Sequence, residues 1–93
     1  MGSRHSWKRT DDIVAFYLSR YGARGLGIFE PEISKRLGMT EAALTMRQSN
    51  FKSLSDGAGH LSHASQQTIS VYAEYSRTSE AELREHVRRI LVL

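Results

Sequence analysis

Between Pro31 and Leu54 the chain carries two apolar patterns of helical spacing, separated by Gly38-Met39-Thr40. Ile33 and Leu37 stand at i and i+4 and so share one face of a first helix that opens at Pro31. Proline suits that position because its missing N–H would have no partner in a first turn anyway. Glu30 and Glu32 lie at the positive end of the same helix's dipole. Gly38 supplies the positive-φ step of a tight turn, Met39 follows as an apolar plug, and Thr40 is placed to cap a second helix. Two short helices joined so closely cannot bury their apolar faces against each other alone. The rest of the chain must therefore bring further helices onto them.

The flanking segments read that way. Residues 1–9 form a basic arm, with Arg4, His5, Lys8 and Arg9 around Trp7, which is expected to pack under the first helix as an anchor, ahead of stacking on a base. Thr10 is the expected N-cap of that helix, with Asp11 and Asp12 in its first turn and Gly22 as its stop. Ile13, Val14, Phe16, Tyr17, Leu18 and Tyr21 make a wide apolar band. Residues 22–29 are glycine-rich but lack the Lys-Ser/Thr and preceding strand of a phosphate-binding loop, so they read as a connection carrying Leu26, Ile28 and Phe29 into the core. A fourth helix is expected over about 66–76, capped by Ser65, with Ile69, Tyr72 and Ala73 inward. Ser79 and Glu82 make a capping box for a fifth from about Glu80, whose stripe is Leu83, Val87, Ile90 and Leu91, with Glu82, Arg84, Glu85, Arg88 and Arg89 facing water. The expected architecture is all-α: one five-helix domain over 10–93, its central helical pair at 31–54 and two C-terminal helices over 65–93.

Ninety-three residues suffice for one core. No cysteine is present, which removes disulfides, thiol catalysis and Cys-ligated zinc. No apolar run approaches the roughly 20 residues that span a bilayer, and no signal-peptide pattern opens the chain. A membrane role is not expected, and the cytoplasm is the expected compartment. The formal net charge of +3 is unevenly placed. Residues 1–60 carry nine Lys/Arg against six Asp/Glu, whereas residues 61–93 carry four of each. The excess cation lies around the helical pair, as a polyanion partner would require.

The second helix of the pair, over 41–54, can be sorted at about 100° per residue. Leu44, Phe51 and Leu54 cluster on one side with Ala43 at the margin; Ala42, Thr45, Met46, Ser49 and Ser53 lie opposite. That outer face is small and lightly charged, unlike the Glu/Arg-rich face of the fifth helix. Small side chains let a helix come close to another macromolecule.

Ile33, Leu37, Gly38, Met39, Thr40 and Leu44 together resemble the helix-turn-helix proteins of bacteria and phages, over about a quarter of the chain. Trp7 followed by acidic residues that open a helix is similar to Myb-related domains, which share a trihelical core. The resemblance implies a sequence-specific DNA-binding protein, a transcriptional regulator of prokaryotic or phage type. On it, Thr45, Met46 and Ser49 would read bases, and Thr40, Glu41 and Ala42 would enter the groove first. Ser34 stands where the pattern usually has alanine, and Arg47 where it has an apolar residue. Arg47 is expected to pair with Asp11 or Asp12, ahead of a phosphate contact.

The candidates for phosphate contact are Arg4, Lys8, Arg9, Arg24, Lys35, Arg36, Arg47 and Lys52. Arg4, Lys8 and Arg9 could act in a minor groove like a homeodomain arm. The chain closes on Ile-Leu-Val-Leu, more apolar surface than one helical face buries, which points to a homodimer seam at Tyr72, Val87, Ile90, Leu91 and Leu93, or to truncation from a longer chain. Double-stranded DNA and a second copy are thus the expected partners. No cofactor or small-molecule ligand is indicated. His60 and His63 form an H-x-x-H pair with Asp56 the sole nearby carboxylate, too little for a metal site. No Ser/His/Asp set or carboxylate pair supports an enzyme. The competing readings are a helical protein–protein module docking a partner helix on Met46, and the recognition domain of a larger nuclease or recombinase.

Overall fold

Asp11 and Asp12, adjacent in sequence, take up different tasks at the start of the first helix. Asp11 Oδ2 accepts the Lys8 backbone N–H at 3.0 Å, satisfying a donor that the helix leaves unpaired. The helix therefore begins at Arg9, and Thr10 lies inside it and is not its cap. Asp12 turns inward and is fully buried. The computed structural model describes residues 6–56 and 65–93. Among them the chain forms five helices: α1 (Arg9–Tyr21), α2 (Glu30–Leu37), α3 (Glu41–Ser55), α4 (Gln66–Tyr75) and α5 (Glu80–Leu91).

α1 is the axle of the fold, in contact with α3, α4 and α5, while α2 lies against α3 and α5. Every residue from Asp11 to Leu18 is buried, which is possible only for a helix covered on all sides. Phe16 tilts against Phe51 of α3 at 5.3 Å between ring centroids and meets Tyr72 of α4 edge-on at 5.9 Å. Ile33, Leu44, Val71, Leu83, Val87 and Leu91 complete the core from the other four helices.

The junction between α2 and α3 has the turn chemistry expected of it. Gly38 adopts φ 76° and ψ 29°, its N–H bonding to Lys35 O and that of Met39 to Ser34 O. This pair of bonds closes a Schellman end, which needs a left-handed residue. Thr40 Oγ1 then accepts the Ala43 N–H at 3.1 Å and caps α3. Ser34 is buried, and its hydroxyl donates to Pro31 O at 2.9 Å, so the polar atom in this position is satisfied.

Several expectations need correction. Phe29 is 80% exposed and not in the core, because it is the extended N-cap residue of α2. In α4 the inward residues are Thr68 and Val71, with Ile69 and Tyr72 half-buried and Ala73 exposed. The Thr68 hydroxyl has polar partners inside, and meeting them rotates α4 from the setting that its apolar residues alone would choose. Arg84 and Arg88 do not simply face water: Arg84 donates to Tyr17 Oη at 3.2 Å and Arg88 to Leu26 O at 3.1 Å. Ser79 caps α5 by accepting the Glu82 N–H, but its hydroxyl bonds the Glu82 carboxylate, and no reciprocal bond to the Ser79 backbone forms.

Among the described glycines, Gly25 is the one with side chains crowding the place of a Cβ. A methyl group there would stand 2.7 Å from Arg84 Nε and 2.8 Å from Tyr17 Oη. Gly25→Ala is therefore expected to break the Arg84–Tyr17 bond and lower stability by about 1–3 kcal/mol, as overpacking does. A melting temperature equal to that of the parent chain would refute this reading of the loop.

Candidate nucleic-acid interface

The outer face of α3 stands as its angular pattern implies. Thr40, Glu41, Ala42, Thr45, Met46 and Ser49 are all exposed, and Met46 is 72% so. Opposite them, Leu44, Gln48 and Phe51 are buried, with Leu54 half-buried. Two of the exposed hydroxyls already have bonds within the chain: Thr40 as the cap, and Ser49 donating to Thr45 O at 3.3 Å.

Gln48 was not singled out by pattern reading, although it lies on the same side of α3 as Leu44. Its amide donates to Glu30 Oε1 at 3.1 Å and pins the start of α2 against the middle of α3. A polar residue centred on an apolar face is the signal that marks such a position, since burial requires it to find a partner.

Arg47 joins α3 to α1, to α4 and to the root of the arm. Its Nη1 lies 3.3 Å from Asp12 Oδ1, with the two side chains 13% and 0% exposed. The same nitrogen donates to Thr68 Oγ1 and, at 3.2 Å, to Ser65 Oγ. Its guanidinium carbon sits 4.0 Å from the centre of the Trp7 ring, a cation–π contact. Gln67 completes the arrangement by donating to Asp12 Oδ2 at 2.6 Å and to Trp7 O at 3.2 Å. Burial drives the Asp12 carboxyl above its ordinary range, and the bond from Gln67, the charge of Arg47 and the bond from Thr68 oppose that shift. Arg47 thus forms the ion pair with Asp12, its guanidinium held largely inside.

The other cations divide by what they touch. Lys35 and Lys52 are exposed, on the α2 end and the α3 flank, and so is Arg24 in the connecting loop. Arg36 bonds Leu91 O at 3.0 Å and Glu32 Oε2 at 3.3 Å. Arg9 is in the first turn of α1, paired with Glu74 and bonded to Ser70. Lys8 is exposed beside it. Arg4 lies outside the described residues, as do His60 and His63. Among the described residues no cluster of three or more His, Asp or Glu is placed to hold a metal ion.

The expected pairing seam needs revision. Val87 and Leu91 are buried in the core of their own chain, so they are not offered to a partner. α5 ends at Leu91 because Val92 adopts a left-handed conformation, φ 59°, and the Leu93 N–H turns back to Arg88 O. The four terminal apolar residues thus do not share one helix: Leu91 goes inward, while Val92 and Leu93 are exposed. Tyr72 and Ile90 are half-buried. No helix is long and apolar enough to cross a membrane among the described residues.

Comparison of the chain with family models, with curated proteins and with solved structures finds no match in any of the three.

Proposed function

We propose that this protein binds double-stranded DNA in a sequence-dependent way, with α3 in the major groove, as a regulator of transcription. One observation carries the reading: the exposed face of α3 is built from Ala42, Thr45, Met46 and Ser49, side chains small or flexible enough to let the helix axis approach a duplex. A major groove roughly 12 Å wide admits an α-helix only when its outward side chains allow that approach. The exposed cations that would hold the backbone are Lys35 and Arg36 at the end of α2, Lys52 on α3, and Lys8 at the root of the arm. Such contacts set register, and Thr45 and Met46 would set sequence preference. Glu41, at the α3 N-terminus, would take a base donor such as the cytosine amino group and would repel phosphate. The proposal includes pairing of two copies through what remains of the seam, Tyr72, Ile90 and Leu93.

The test is selection of bound duplexes from a random pool, followed by titration of variants. Thr45→Ala or Met46→Ala is expected to relax preference at single positions by about 1–3 kcal/mol. Lys52→Ala should weaken all sequences alike and reduce the slope of log affinity against log salt by about one. Equal losses from Thr45→Ala on selected and random duplexes would remove the base-reading assignment. A second reading, docking of a partner helix, draws on the 72% exposure of Met46. Binding indifferent to salt would favour it over DNA.

A further inference from the structure

We propose that Asp12 and Arg47 form a proton-operated switch, in which proton uptake by the buried carboxyl turns the Arg47 guanidinium out of the seam between α1, α3 and α4. Asp12 is fully buried and the Arg47 side chain is 13% exposed, so each charge is kept inside by the other. The two oxygens of Asp12 are occupied differently. Oδ2 accepts the Gln67 amide at 2.6 Å. Oδ1 faces Arg47 Nη1 at 3.3 Å and the Thr68 hydroxyl at 3.4 Å. Since Oδ2 already receives a hydrogen, a proton taken up by the carboxyl goes to Oδ1. There it stands donor against donor with Arg47, and it competes for Thr68 Oγ1, the atom to which Arg47 also donates. Opposite a neutral Asp12 the guanidinium keeps only uncharged partners, the Thr68 and Ser65 hydroxyls and the Trp7 ring. A way out is present. Arg47 lines an open hollow of about 300 Å³ with Trp7, Ala43, Met46, Asn50 and Ser65, and that lining holds no carboxylate to recapture it.

The surrounding groups fix the direction of the switch. Burial is the largest influence and holds the Asp12 carboxyl above its ordinary range. Gln67 of α4, Arg47 of α3 and Thr68 of α4 lower it, and the like charge of Asp11 on α1 raises it. On the arm, Lys8 is exposed and gives its backbone N–H to Asp11. Arg9 of α1 pairs with Glu74 of α4, and the α5 cations Arg84 and Arg88 are bonded to Tyr17, Glu80 and Leu26. Docked Arg47 thus weakens the hold of Asp12 on a proton, and by linkage a proton on Asp12 weakens the hold on Arg47. Acidification favours the released form by about tenfold for each pH unit between the Asp12 midpoints with the guanidinium docked and released. The released charge would stand beside Met46, at the edge of the outer face of α3.

The experiment uses the whole chain. Carboxyl-carbon NMR follows Asp12, and the emission of Trp7, the sole tryptophan, follows the guanidinium stacked on it. On acidification the emission is expected to change with the midpoint of the Asp12 titration, while the helical circular dichroism stays constant. Asp12→Asn, neutral at every pH, should lose this step and show the acid-form emission at neutral pH. Arg47→Met should titrate at Asp12 with a higher midpoint and no emission step. Titration of Asp12 with Trp7 emission unaltered would overturn the switch. A step that persists in Asp12→Asn would do the same, since it would belong to another group, such as His5 two residues before Trp7. Loss of helical signal at the same midpoint would reduce the change to unfolding and also overturn it. If either variant does not fold, agreement or disagreement of the two midpoints in the parent chain decides.

Discussion

Replacing Arg47 by methionine is expected to destabilise the fold by about 3–5 kcal/mol at neutral pH, the cost of leaving a buried charge without its partner. The charge left behind is Asp12, fully buried on the central helix and otherwise bonded only to the neutral donors Gln67 and Thr68. The loss should depend on pH in a defined direction. In the parent chain the Asp12 carboxyl already sits above its ordinary 3.8, with burial as the main cause. A raised value means that the folded state holds the proton more tightly than the unfolded chain does. The associated stability is therefore full below 3.8 and declines as pH rises through the folded value. Arg47 counters the rise, so its removal pushes Asp12 higher and makes the variant decline further than the parent. The gap between the two should be widest at neutral pH and narrow on acidification, as Asp12 takes up a proton. Denaturant titrations across this range read it directly. Adding Asp12→Asn to the Arg47→Met variant should return most of the stability, since no buried charge then remains. A gap that stays constant with pH would mean that the guanidinium stabilises by packing on Trp7 and not by its charge.

Phe51→Ala is expected to remove about 3–5 kcal/mol, the usual cost of deleting a buried aromatic ring. Phe51 is fully buried and packs its ring against Phe16 of the central helix. For a domain of this size each kcal/mol moves the melting temperature by about 4–8 °C, so the shift should be plain in a thermal scan. Total stability of small domains is commonly about 5–15 kcal/mol, and the variant would be left marginal. The proposed DNA binding should fail along with packing, because Leu44 is the other fully buried apolar residue of α3. A loss under about 1 kcal/mol would place Phe51 in a site that collapses without a cavity, contrary to the close packing usual in protein interiors.

Both predictions turn on residues that pattern reading treats very differently. Phe51 was legible: a ring at helical spacing from Leu44 has one inward direction, and periodicity finds it. So were the Gly38 turn and the caps Thr40, Ser65 and Ser79, since each depends on a residue and its near neighbours in the chain. The Arg47 node was only half legible. A cation at an expected apolar position signals a partner, and Asp11 and Asp12 were both open. Choosing between them required knowing which carboxylate capped α1. Thr68 and Gln67, from the other end of the chain, carry no local sign of their role.

The division has a physical cause. Local chemistry set the number of helices, their ends and the turn between α2 and α3, because hydrogen bonds within a few residues and a single left-handed glycine decide those features. Tertiary contact alone settled the rotation of α4, the burial of Val87 and Leu91 in their own chain's core and not at a seam, and the commitment of Arg47. Those follow from desolvation. A buried carboxylate must gather donors wherever the fold can bring them, and its partners here are Arg47, Gln67 and Thr68, 35, 55 and 56 residues away in the chain.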